Sequence, residues 1–87
     1  MPEAKVLAMA LYELRILLSA EVTPDASHEL RLAERLAYAL HNDAMAVIEG
    51  KPFDHEATLA RVANIDRLIG GNDGERIAKQ MRSAISN

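Results

Sequence analysis

Cysteine is absent from this 87-residue sequence. Disulfide scaffolds, thiolate zinc sites and cysteine nucleophiles are therefore excluded. Tryptophan is absent too, and the aromatics are limited to Tyr12, Tyr38 and Phe53. With three prolines and four glycines, few places force a regular element to stop. Runs of β-branched residues, the mark of strands, are missing. No apolar stretch reaches the ~18 residues of a membrane span, because Glu13 and Arg15 interrupt the longest one. Those charges, with Glu3, also make the N-terminus a poor fit to a signal peptide, so a cytoplasmic location is expected. The net charge of −3 argues against a general nucleic-acid binder.

Leu and Ala supply most of the apolar content, which suits helices packed closely through small side chains. The size points to one domain, residues 1–87, with a thin core that association would help. Charge is uneven: residues 1–50 carry four Lys/Arg against eight Asp/Glu, and residues 51–87 carry six against five.

Four helices are expected, over residues 3–20, 24–49, 55–69 and 74–85. Helix two starts with Thr23 as N-cap, Pro24 in the first turn and Asp25 on the positive dipole end. It ends at Gly50, before Pro52. Its positions Leu30, Ala33, Ala37, Leu40, Ala44 and Val47 form a heptad seam rich in small residues. Helix three starts at the N-cap Asp54 and carries the stripe Thr58, Leu59, Val62, Ile65 and Ile69, ended by Gly70–Gly71. Asn72 and Glu75 read as a capping pair for helix four, whose end, Ser86–Asn87, is expected to fray. The expected fold is all-α: a small antiparallel bundle of three long helices plus a short C-terminal helix, assembled as a dimer.

Helix one carries the strongest signal. Val6, Leu7, Met9, Leu11, Leu14, Ile16, Leu17, Leu18 and Val22 spread over roughly 240° of the helical wheel, where a surface helix needs an arc of only about 100°. So small a chain has few elements to cover the excess. The expected oligomer interface is Leu7, Leu11, Leu14, Leu17 and Leu18, in contact with a second copy or with a different protein. A second surface is expected on helix two, where Arg31, Glu34, Tyr38, His41 and Met45 recur at spacings of three and four. Tyr, Arg and Met on one face suit a protein partner.

Catalytic and cofactor chemistry find no motif. His28 and His41 lie nearly 20 Å apart along one helix, too far for one metal site. Asp54, His55 and Glu56 point in different directions around a helix start. The Gly70–Gly74 segment opens a helix but follows a helix rather than a strand and lacks the lysine of a phosphate-binding loop. No catalytic residue, cofactor or metal ligand is assigned. Asp66 falls inside the apolar stripe of helix three. It is expected at the stripe's edge, in reach of water; if buried, it would need a partner such as an arginine. The leading functional expectation is a non-enzymatic protein–protein interaction module, a small homo-oligomeric adaptor or regulatory protein. The alternatives are a dimeric DNA-binding regulator, with helix four and its Arg76, Lys79, Gln80 and Arg82 as the recognition element, and a ligand-binding protein or enzyme with a pocket near Asp66, His55 or His41.

Overall fold

The computed structural model describes residues 2–86 and is all-helical, with no strand among them. Asn87, the last residue of the segment expected to fray, lies outside the described residues. Five α-helices and one 3₁₀ turn follow one another: α1 (Pro2–Glu21), α2 (His28–Ala39), α3 (His41–Ile48), α4 (His55–Ala63), the 3₁₀ turn Arg67–Ile69, and α5 (Asp73–Ser86). They group into two compact units, residues 1–53 and residues 54–87.

In the first unit α1 packs on both α2 and α3. The residues buried there are small: Ala8, Ala37, Ala44 and the polar Asp43. Small side chains let helices approach closely, at the cost of little apolar area per contact. The expected long helix two is corrected at two points. First, Thr23–Pro24–Asp25–Ala26 is a turn, closed by the Ala26 amide donating to the Thr23 carbonyl at 3.0 Å. Proline suits the second position of such a turn as well as it suits a helix start. The N-cap is Ser27, whose Oγ accepts from the Leu30 amide at 3.0 Å. Second, the chain leaves helical geometry at Leu40 (φ −97°, ψ 0°), separating α2 from α3. The Leu40 amide is shared between the Leu36 and Ala37 carbonyls, and the Ala44 amide resumes the ladder on the Leu40 carbonyl. Gly50 (φ +72°) ends α3 as expected: the Lys51 amide reaches the Ala46 carbonyl and the Gly50 amide the Val47 carbonyl, the paired bonds of a left-handed helix stop.

In the second unit α4 packs on α5. Asp54 caps α4, its Oδ1 accepting from the Glu56 and Ala57 amides at 3.0 and 3.3 Å. Val62, Leu59, Thr58 and Ala78 make the core. The helix expected to reach residue 69 stops at Ala63. From there the Ile65, Arg67 and Ile69 amides each bond three residues back, which winds the chain more tightly than an α-helix. Gly70 (φ +75°) closes this stretch.

Asp66 explains the tightening. It is 1% exposed, not at the edge of a stripe, and its partners are backbone amides rather than an arginine. Its Oδ2 accepts from the Asp73 amide at 2.8 Å and its Oδ1 from the Gly74 amide at 3.2 Å. A carboxylate seven residues upstream thus takes the capping role expected of Asn72 and Glu75. It also places negative charge at the positive end of the α5 dipole. Glycine is required on the opposing side. A Cβ on Gly74 would stand 2.6 Å from the Val62 carbonyl oxygen, and one on Gly71 would stand 2.5 Å from Asp66 Oδ2.

Candidate functional site

The face of α1 turned away from α2 and α3 holds most of its large apolar side chains. Leu7 is 70% exposed and Leu17 64%, with Val6, Met9, Leu14 and Ile16 also exposed. Only Ala8 on this helix is buried. Leu11 and Leu18 are half-buried, so of the five residues expected at an interface Leu7, Leu14 and Leu17 form the open part. Leu7, Ala10, Leu14 and Leu17 recur at spacings of three and four, the register of a coiled-coil seam. Glu3 and Glu21 occupy the same register at either end, and Glu13 flanks the middle. Monomeric proteins rarely expose a contiguous apolar patch beyond a few hundred Å².

The strip expected on helix two is largely engaged within its own unit. The Arg31 guanidinium donates to the Ala26 carbonyl at 3.2 Å, to the Thr23 carbonyl at 3.1 Å and to the Pro24 carbonyl, holding the turn before α2. Glu34 Oε1 accepts from Ser19 Oγ on α1 at 3.5 Å. His41 stacks on Tyr12, with ring centroids 5.2 Å apart and planes 28° apart. Tyr38 is exposed, and the Arg15 guanidinium lies over its ring, 5.1 Å from the centroid. Met45 is half-buried. The contacts of Glu34, Tyr38 and His41 tie α1 to α2 and α3, and that of Tyr38 turns Arg15, one of the two cations of α1, away from its exposed face.

Chemistry of other kinds has little to work with. Among the described residues no group of three His, Asp or Glu side chains could hold a metal ion, and no helix is long and apolar enough to cross a membrane. A groove of about 410 Å³ lies between α4 and α5, lined by Leu59, Ala60, Ala63 and Ala78 with Glu56 and Arg82. Neither Asp66 nor His55 lines it. Arg82 donates two parallel hydrogen bonds to the Glu56 carboxylate, both 2.9 Å. Those bonds hold the Glu56 carboxyl below its ordinary pKa and the Arg82 guanidinium above its own. Sequence reasoning assigned no role to Leu68, which the 3₁₀ turn leaves 98% exposed; only the unforeseen end of α4 at Ala63 would have shown it.

Compared with protein-family models, with curated proteins and with solved structures, the chain matches none.

Proposed function

We propose that this chain is a non-enzymatic protein–protein interaction module that docks through the exposed face of α1. The observation that carries the reading is the open leucine seam, Leu7, Leu14 and Leu17, on a helix whose opposite side already supplies the packing of its unit. Covering such a seam removes apolar surface from water at about 25 cal/mol per Å². Self-pairing through Leu7, Leu11, Leu14, Leu17 and Leu18 is one form of this reading, and light scattering over a concentration series reads it directly. The DNA-binding alternative gains no support. Arg82 is committed to Glu56, and Arg76 lies 3.5 Å from the Asp73 carboxylate. Residues 54–87 hold five Lys/Arg and five Asp/Glu, so no positive field marks this unit.

A photo-crosslinking amino acid at Leu7 or Leu17, introduced in the native cell, should give discrete protein adducts, whereas one at the exposed Gln80 of α5 should give none. If a folded chain yielded no adduct from either α1 position, the docking reading would fall.

A further inference from the structure

The docking reading leaves open what lies against α1, and the charges on that face narrow the answer. Every charged group among its exposed leucines is a carboxylate: Glu3 at the start of the seam, Glu13 at its middle and Glu21 at its end. The helix's two cations lie elsewhere. Arg15 is over the Tyr38 ring, and Lys5 sits at the border with the packed face, on the side of Tyr12. Glu21 is also misplaced for its own helix. A carboxylate in the last turn meets the negative end of the dipole, and no basic residue stands there to offset it.

We propose that the exposed face of α1 takes a basic amphipathic helix of a different protein, whose Lys or Arg side chains meet Glu3, Glu13 and Glu21. This rests on the docking reading and adds the identity of the occupant. The heptad spacing of Leu7, Ala10, Leu14 and Leu17 matches a helical partner, and the small Ala10 leaves a notch between larger neighbours for one of that partner's bulky side chains. From Glu3 to Glu21 the seam runs about 27 Å at 1.5 Å per residue, so the partner segment has about five turns. A second copy fits less well in either direction. A parallel pair sets Glu3 and Glu21, both in the seam register, against their own counterparts. An antiparallel pair brings Glu13 to Glu13 at the crossing and Glu3 to Glu21 at both ends. Like charges at the ends of the seam and beside its middle oppose pairing, whereas a basic partner turns all three into ion pairs that speed encounter and select the partner.

The test uses the full chain and two synthetic helical peptides of about three heptads, with Leu at the seam positions and either Lys or Glu at the flanking positions. Binding is read by fluorescence anisotropy, with helix content checked by circular dichroism. The Lys peptide should bind at least tenfold more tightly than the Glu peptide at low salt, and the gap should narrow as salt rises. The triple variant Glu3→Gln, Glu13→Gln, Glu21→Gln should keep the fold and level the two affinities. The double variant Leu7→Ser, Leu14→Ser should lose both peptides, which separates seam binding from a general attraction between opposite charges. Equal binding of the two peptides by the parent chain would overturn the basic partner and leave the docking reading standing. So would a stable dimer that the Lys peptide does not displace, and so would α1 crosslinks made only to a second copy. Binding of neither peptide would overturn the proposal, with the docking reading then judged by crosslinking alone.

Discussion

The shorter of the two units closes its core more completely than the longer one. Residues 54–87 seal Leu59, Val62, Thr58 and Asp66 with two helices and a tight turn. Residues 1–53, with three helices, bury three alanines and an aspartate and leave most of the large side chains of α1 exposed. The contrast lies in where the large residues point. Residues 54–87 bury Leu59 and Val62, fix the geometry with a carboxylate and close-fitting glycines, and leave Leu68, Ile69 and Ile85 outside. Residues 1–53 pack through small side chains and aromatic contacts, keeping Leu7, Leu14 and Leu17 of α1 on the outside. Hydrophobicity alone therefore does not identify a core, since a leucine in either unit reads the same in one dimension.

The largest loss of stability is expected at Asp66. Asp66→Ala leaves the amides of Asp73 and Gly74 unpaired in a buried place, and a loss of about 2–4 kcal/mol is expected. Hydrogen exchange should show protection vanishing across residues 54–87. Leu59→Ala, at a site only 4% exposed, should cost a similar ~2–4 kcal/mol in chemical denaturation, whereas Leu17→Ala on the open seam should stay within about 0.5 kcal/mol. Equal costs would mean that the seam is part of a core after all. Gly74→Ala drives a Cβ into the Val62 and Ala63 carbonyls and should cost about 2 kcal/mol. Gly50→Ala meets open space and carries only the left-handed backbone penalty, about 1 kcal/mol. The smallest effect belongs to the exposed Glu56–Arg82 pair. Because the carboxyl is lowered in the folded state, its contribution is present at neutral pH and is lost as pH falls through that lowered value. Glu56→Gln should thus differ from the parent at pH 7 and converge with it in acid, a trend that thermal unfolding at several pH values would read.

Much of this was legible in the sequence, for physical reasons that differ by element. The excess apolar arc of α1 shows on a helical wheel because the helix runs uninterrupted from Pro2 to Glu21. Asp54 and Gly50 announced their caps because those interactions reach only two to five residues along the chain. The break at Leu40 was hidden, since neither proline nor glycine marks it. The start of α2 was a contest between Thr23 and Ser27, decided in part by Arg31 reaching back to three carbonyls of the intervening turn. Asp66 stood out as a carboxylate in an apolar stripe, but its partners could not be read from periodicity, because they are backbone amides brought near only once the chain reverses. The helix-two strip was visible as a pattern of residue types. Its use in holding α1 was not, because side-chain direction depends on the turn at residues 23–26.

The cap of α5 also has a kinetic side. Starting a helix from coil is the slow, unfavourable step, and a first turn with its amides already accepted lowers that barrier. Here the acceptor belongs to the preceding segment and reaches the Asp73 and Gly74 amides only after the backbone has reversed at Gly70. The last helix therefore has no private nucleus. Cut out as a peptide of residues 73–86 it should be mostly coil, and in the whole chain its formation should wait on the turn, making the zippering of α5 a reporter of the moment when residues 64–72 close.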